Sequence, residues 1–183
     1  MSEIAWERTE PTTVEQVGHR TIVTKTFRQP DGSVKDFQTI SAEGTQFAGC
    51  IAMTPDNKVI VARQFRPGPE RVMEDIPGGL VEPGEEPQAA MLRELAEETG
   101  YKAGSSKYLG MVYKDAYHNA SWHYYLALDC EENGAGQQLD DAEKVEVVRI
   151  DIATFLKNAF EGRMTDVEAV LLAYEELQRL ADD

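Results

Sequence analysis

The feature that most restricts the fold of this chain is a glycine- and proline-rich loop, residues 77–87, that leads into a helix with both ends marked. The predicted helix begins at Pro87, where a proline loses no helical hydrogen bond. It ends at Thr99, because Gly100 is the residue type that commonly follows a helix C-terminus. A helix with apolar residues on one side must be covered there, so the chain is expected to form a layered α/β or α+β domain.

Acidic residues cluster on this predicted helix. At about 100° per residue, Glu94, Glu97 and Glu98 fall within one arc. The opposite side, expected to pack on the core, carries Leu92, Leu95, Ala96 and Thr99. Like charges one turn apart destabilise a helix, and its C-terminal half disfavours anions. Two interpretations follow: a solvated acidic surface, or a site for a divalent cation such as Mg²⁺, which binds carboxylates, waters and phosphates.

The spacing of the whole segment favours the cation. Nine defined residues stand at fixed spacings: Gly79, Glu85, Arg93-Glu94-Leu95, Glu97-Glu98, Gly100 and the apolar Tyr101. This is the pattern of the Nudix box, and on these residues the chain resembles the Nudix hydrolases. The resemblance implies a Nudix-type α/β/α sandwich with a mixed sheet. It also implies hydrolysis of a nucleoside diphosphate linked to another group.

The resemblance also implies roles for individual residues. Family glutamates bind divalent metal ions, so Glu94, Glu97 and Glu98 are the expected ligands, above all Glu94 and Glu98, with the carbonyl of Gly78 as a further one. The expected cation is Mg²⁺, with Mn²⁺ as a substitute. Two remaining charged residues of the box are expected to hold loop and helix in register: Glu85 and Arg93.

Two regions are predicted along the chain. Residues 1–45 form a small N-terminal antiparallel β element, with strands at 21–27 and 34–40 around a turn at Pro30-Asp-Gly32. Residues 46–183 form the Nudix hydrolase domain, with strands at 47–53, 58–65, 108–113, 122–129 and 145–150 and two C-terminal helices. The last helix is expected to start at a capping box, Thr165 to Glu168. The resemblance implies a homodimer, in which N-terminal elements are often exchanged.

The overall charge limits the partners. The formal net charge is −15, from 33 acidic and 18 basic residues, so nucleic acid and anionic membranes are not expected partners. No apolar run approaches the length of a membrane span, and no signal-peptide core is visible. The two cysteines, Cys50 and Cys130, are expected to be buried thiols. These observations predict a cytoplasmic protein that acts on a small nucleotide.

Sequences next to the box narrow the resemblance to the ADP-ribose and nucleotide-sugar pyrophosphatase branch: Arg63-Gln-Phe-Arg66-Pro-Gly and Glu74-Asp-Ile-Pro-Gly-Gly79. Arg66 is expected to contact a substrate phosphate, with Glu74 also at the substrate; a surface arginine paired with Glu70 or Glu74 is the alternative. Residues 117–123 depart from the branch, lacking its proline and carrying histidine in place of its acid. They either shape a different substrate pocket through His118, Trp122 and His123, or simply pack in loop and strand.

The expected reaction is attack of a metal-activated water on phosphorus, giving a nucleoside monophosphate and a phosphorylated group. The resemblance places the general base on a distant loop, so Glu143 is the first candidate and Glu97 the second, with Arg93 orienting the acids. Two alternatives remain. One is a Nudix hydrolase for a dinucleoside polyphosphate or another nucleotide, and the other is a non-catalytic nucleotide-sensing module.

Overall fold

The computed structural model describes residues 4–140 and 143–182, which group into two compact units. The first unit extends to Thr45 and also takes in Tyr113–Ser121, a segment that the sequence analysis assigned to the Nudix domain. The second unit contains Gln46–Val112 and the chain from Trp122 onward. Each unit is therefore built from two separate stretches of chain.

The first unit is an antiparallel sheet in which the central strand pairs with three others. The strands are β1 (Glu7–Arg8), β2 (Thr13–Val17), β3 (Arg20–Arg28) and β4 (Val34–Ile40). The predicted β3–β4 hairpin is confirmed, and β1 and β2 were not predicted. Trp6, Phe27 and Phe37 pack together, with the Trp6 and Phe37 ring centroids 5.0 Å apart. Asn119 joins the second stretch by donating its Nδ2 to the Ser41 carbonyl oxygen at 2.7 Å.

The second unit is built on a seven-stranded sheet with a short two-stranded ladder beside it. The strands are β5 (Gln46–Met53), β6 (Lys58–Arg66), β7 (Arg71–Asp75), β8 (Gly78–Leu80), β9 (Tyr101–Lys102), β10 (Ser105–Val112), β11 (Ser121–Leu128), β12 (Glu131–Glu132) and β13 (Glu146–Asp151). The order across the sheet is β10-β11-β5-β6-β13, with β7 also paired to β6 and β8 to β5. The ladder joins β12 to β9.

Three helices cover the two faces of this sheet: α1 (Pro87–Thr99), α2 (Ile152–Phe160) and α3 (Val167–Asp182). Ile51 and Met53 of β5 pack with Phe155 of α2 and Leu177 of α3. Ala48 and Cys50, which alternate with them along β5, pack instead with Met91 and Leu95 of α1. The predicted α/β/α arrangement with a mixed sheet is confirmed.

Some local predictions are wrong. The sheet continues into the predicted 77–87 loop, because β8 pairs with β5, and β7 was not predicted at all. The capping box is absent: α3 begins at Val167, two residues later than expected. The Thr165 hydroxyl donates to Asp75 and Asp166 instead of capping the helix. A long-range contact has replaced a local one.

Within the described part of the chain, no helix is long and apolar enough to cross a membrane.

Candidate active site

Helix α1 begins and ends at the predicted residues, and one of its acids lies on the packing side. Pro87 opens the helix, and the backbone N–H of Gly100, at φ 74°, donates to the Ala96 carbonyl at 2.9 Å. The buried side contains Met91, Leu95 and Glu98, spaced four and three residues apart, while the exposed fraction of Leu92 is 38%. The predicted packing side was therefore rotated from the true one, and Glu98 faces inward.

Burial of Glu98 is the most costly feature of this helix. Its exposed fraction is 7%, and its Oε2 accepts the Gly78 backbone N–H at 2.9 Å. Burial raises the pKa of Glu98 to about 8, and the nearby Glu94 and Glu143 charges add to the effect. Among the described residues, Glu98 forms no ion pair. A buried acid without an ion-pair partner suits a site that binds a cation.

Arg93 gathers the other acids of the box. Its Nη1 donates to Glu94 at 2.8 Å and to Glu97 at 3.0 Å, and its Nη2 donates to Glu85 at 3.1 Å and to the Leu80 carbonyl at 3.0 Å. The hydrogen bonds with Glu85 make the largest contribution to a pKa of Arg93 above its usual range. One guanidinium therefore ties the loop to the helix while three carboxylates share its charge.

The two glycines before the helix allow close approach. A Cβ on Gly79 would overlap the carboxylate of Glu94, so a larger residue there would force that side chain to move. A Cβ on Gly78 would lie 2.6 Å from the Ala48 carbonyl oxygen on β5. Burial raises the pKa of Glu94 as well. Loop and helix are thus fitted to each other around acidic side chains.

These side chains line a cleft of about 320 Å³. Its lining residues are Leu80, Glu82, Arg93, Glu94, Glu97, Glu98, Gln138, Asp140 and Glu143. The cleft thus brings Glu143, from a loop far along the chain, to the glutamates of α1. Sequence reasoning missed Glu82 and Gln138, which carry no distinguishing motif. Of the acidic segment 140–143, Asp141 and Ala142 lie outside the described residues.

The donor set suits a hard divalent cation, because carboxylate oxygens dominate the cleft. In residues 4–140 and 143–182, no three acidic, histidine or cysteine side chains already stand as ligands around one point. Arg93 holds Glu94 and Glu97, and adjacent carboxylates repel each other. A cation held here would be bound by carboxylates of this cluster together with water and substrate phosphates.

The hairpin β6–β7 carries a second set of charges, close to the box in sequence. Arg66 Nε donates to Asp75 at 2.7 Å, so its partner is neither Glu70 nor Glu74. Glu74 instead accepts from Arg63 Nε at 2.7 Å and from Asn158 of α2. Both oxygens of Glu74 are thereby engaged within the fold. Asp75 was not singled out from the sequence, although the pair Glu74-Asp75 between the apolar Met73 and Ile76 was a usable signal.

Three ring residues were expected near the substrate, and the structure gives neighbours for each of them within its own unit. His118 belongs to the first unit, where its Nδ1 bonds to Asp115. Trp122 and His123 are consecutive on β11 and face opposite sides of the sheet. Trp122 stacks on Phe47 at 5.0 Å on the α2/α3 side, whereas His123 lies 3.3 Å from the Tyr108 hydroxyl, where burial lowers the pKa of His123. None of the three lines the acidic cleft.

Comparison with known proteins identifies the family. A NUDIX domain model matches residues 46–169. A methanol dehydrogenase activator of Bacillus methanolicus is 31% identical over 153 residues, 81% of this chain and 80% of that protein. An ADP-ribose pyrophosphatase of Bacillus subtilis (strain 168) is 33% identical over 129 residues, 70% and 69% of the two chains.

A solved structure adds support for the fold. A crystal structure of an ADP compounds hydrolase matches with a TM-score of 0.75 over 94% of this chain and 97% of its own, at 20% identity. At that identity the likeness concerns the fold alone. The resemblance inferred from the box residues is confirmed by the family match and by the relatives. This chain therefore belongs to the Nudix family and is a Nudix hydrolase.

Proposed function

We propose that this Nudix hydrolase cleaves the pyrophosphate bond of a nucleoside diphosphate linked to another group, of the ADP-ribose or nucleotide-sugar type. The products are a nucleoside monophosphate and a phosphorylated group. The observation that carries the proposal is one cleft that collects Glu94, Glu97, Glu98 and Glu143 around a single arginine. Relatives named ADP-ribose pyrophosphatase and ADP-sugar pyrophosphatase support this substrate class.

The proposed metal is Mg²⁺, replaceable by Mn²⁺. Glu94 and Glu98 are its proposed carboxylate ligands, with Glu97 and the carbonyl of Gly78 completing the protein contribution. A bound divalent cation lowers the pKa of water and neutralises charge on phosphate oxygens. The buried Glu98 carboxylate accepts the Gly78 N–H. It supports this assignment because a bound cation would offset the free-energy cost of burying its negative charge.

Glu143 is the proposed general base. Its Oε2 accepts the Asp140 backbone N–H at 3.1 Å, and its own N–H donates to the Asp140 carbonyl at 2.9 Å, so two hydrogen bonds hold Glu143 against Asp140. Within the described residues, its Oε1 makes no hydrogen bond and is available to accept a proton from water. Glu97 is the second candidate, but one of its oxygens already accepts a hydrogen bond from Arg93.

A second cleft, of about 640 Å³, is the proposed place for the organic group next to the scissile bond. It shares Asp140 and Glu143 with the acidic cleft. Its wall includes Phe65 and Val72, a directly opposed pair on β6 and β7 whose exposed fractions are 60% and 62%. An aromatic surface beside polar side chains suits a sugar ring or a base, and the volume falls in the range of small-molecule sites.

A substrate panel tests the proposal. ADP-ribose, GDP-mannose, UDP-glucose and diadenosine polyphosphates are incubated with enzyme and Mg²⁺, and products are separated by chromatography. The expected result is a nucleoside monophosphate from one of the first three and loss of turnover in EDTA. Preference for a diadenosine compound would support the alternative substrate, and tight binding without any turnover would support a nucleotide sensor.

A homodimer and a cytoplasmic location belong to the same proposal. Sedimentation of the purified chain, and of a truncated chain that begins at Gln46, measures whether the N-terminal element is needed for association. A monomeric full-length chain would reject the dimer.

A further inference from the structure

Asp75, at the end of β7, is a fully buried carboxylate with both oxygens engaged, and its exposed fraction is 0%. Oδ2 accepts the Nε–H of Arg66 at 2.7 Å. Oδ1 accepts the backbone N–H of Thr165 at 2.7 Å and the Thr165 hydroxyl at 3.0 Å. Burying a charge is costly unless it is paired and hydrogen-bonded, and here the donors come from β6 and from the turn before α3.

The contact with Asp75 fixes how Arg66 presents its charge. A guanidinium has five N–H donors in a rigid plane, and Asp75 takes the one on Nε. Among the described residues, Arg66 makes no other hydrogen bond, so the four N–H groups of its two terminal nitrogens remain available. The edge of the guanidinium that carries these two nitrogens matches the geometry of phosphate oxygens. The side chain is 37% exposed and so remains accessible to a ligand.

Arg66 is also electrostatically connected to the acidic cleft. Burial raises the pKa of Glu98, and the positive charge of Arg66 opposes that rise. The guanidinium therefore acts on the same buried carboxylate that is a proposed metal ligand. Arg66 therefore supplies positive charge near the acidic cleft, in which the proposed function places the substrate phosphates.

We propose that Asp75 is a positioning residue, which holds the Nε side of Arg66 and so directs the terminal nitrogens towards a substrate phosphate. Thr165 keeps Asp75 in place from the other side. This inference rests on the proposed function, and it keeps the expectation from the sequence that Arg66 contacts a substrate phosphate.

Asp75→Asn is the informative change, because an amide has one acceptor oxygen and one donor group. Asparagine can accept either from Arg66 or from Thr165, and its NH₂ then faces a donor on the other side. The variant keeps the size of the side chain and removes the two-sided acceptor. In either orientation the carboxylate charge and one of the two contacts are lost, so the Arg66 guanidinium is held less firmly.

The test is a double-mutant cycle with inorganic pyrophosphate and Mg²⁺ as the probe, measured by titration calorimetry. In the presence of Arg66, D75N is expected to weaken pyrophosphate binding about tenfold, the scale of one charged hydrogen bond. In R66A, the same change is expected to alter the Kd by less than about twofold, because Asp75 acts through Arg66. Equal weakening in both backgrounds, or none in either, would overturn the inference.

A matched control separates positioning from stability. Asp151 accepts the N–H of Thr154 at 2.7 Å and its hydroxyl at 3.1 Å, as Asp75 does from Thr165, but it forms no ion pair within the described residues. D151N is expected to lower the melting temperature and leave the pyrophosphate Kd unchanged. If D75N does not fold, T165V replaces it, and it is expected to weaken pyrophosphate binding two- to fivefold, which is about the scale of one neutral hydrogen bond. An unchanged Kd in folded T165V overturns the inference.

Steady-state kinetics with ADP-ribose distinguish the two proposals. D75N is expected to raise KM while kcat changes much less, as for a lost phosphate contact. Coupled pyrophosphate binding without turnover of any panel compound would reject the proposed function and retain the role of Asp75. Normal turnover of a panel compound, with additive effects of D75N and R66A on pyrophosphate binding, would support the proposed function and reject the role of Asp75.

Discussion

The β6–β7 hairpin and helix α1 both carry clustered charges, but they balance them differently. In the hairpin, Arg63 and Arg66 each face an acid of the neighbouring strand: Arg63 lies 2.6 Å from Glu74, and Arg66 lies 2.7 Å from Asp75. On α1, Arg93 alone is shared by three carboxylates, and Glu98 has no ion-pair partner among the described residues. The paired charges hold the two strands of the hairpin together, whereas the excess of acid in the cleft fits the proposed cation.

The largest effect is expected where the charge is least balanced. Glu98→Gln keeps the shape and the Gly78 contact but removes a proposed metal ligand. It should lower kcat about a thousandfold, because metal coordination contributes several kcal/mol to such reactions. The balanced counterpart, Glu74→Gln, should reduce thermal stability and change kcat/KM by less than about threefold. Near-normal turnover in E98Q would remove the distinction between the two regions.

The second-largest effect on kcat is expected from a change at the general base, and it distinguishes the two candidates for that role. Glu143→Gln should lower kcat about a hundredfold or more, the usual contribution of a general base, with KM little changed. Glu97→Gln should have a smaller effect on kcat and a larger one on the Mg²⁺ concentration for half-maximal rate. Metal titrations of both variants measure these two effects. A larger loss of kcat in E97Q than in E143Q would make Glu97 the base.

Metal-free stability should respond to pH in a defined direction. Folding raises the pKa of Glu98 from its ordinary 4.5 to about 8, so the folded state binds this proton more tightly than the unfolded state does. The stabilising contribution is complete below pH 4.5 and is lost as pH rises through 8. In EDTA, the melting temperature of E98Q minus that of the wild type should therefore grow from pH 5 to 9. Magnesium should reduce it; a flat difference would contradict the buried, unpaired acid.

The smallest effect is expected at the rim of the second cleft. Phe65→Ala should raise KM for ADP-ribose a few-fold and leave kcat unchanged, because only one contact to the organic group is lost. Phe160→Ala is the matched control, since Phe160 is 74% exposed on α2 and does not line the cleft. If both variants behave alike, the organic group does not contact Phe65. If F65A alone dissociates a dimer, the Phe65 surface is an interface.

Residues that act locally could be predicted from the sequence. Pro87 and Gly100 determine the bounds of α1, and the spacing of the box identified the family. The inward position of Glu98 was missed, because the usual rule for amphipathic helices assigns acids to the exposed side. An acid that is proposed to bind a cation can instead be buried. The shared partner of Arg66 and Thr165 was missed too. Asp75 lies nine residues after Arg66, on the next strand, and 90 residues before Thr165. Local patterns do not report such contacts.

The account depends most on a divalent cation held by the acids of α1. Crystals soaked in Mn²⁺ with an unreactive analogue of ADP-ribose would locate it through the anomalous signal of manganese. The expected map has a peak in contact with carboxylate oxygens of Glu94 and Glu98 and with a phosphate oxygen of the analogue. A well-ordered analogue with no manganese peak in the acidic cleft would contradict the account.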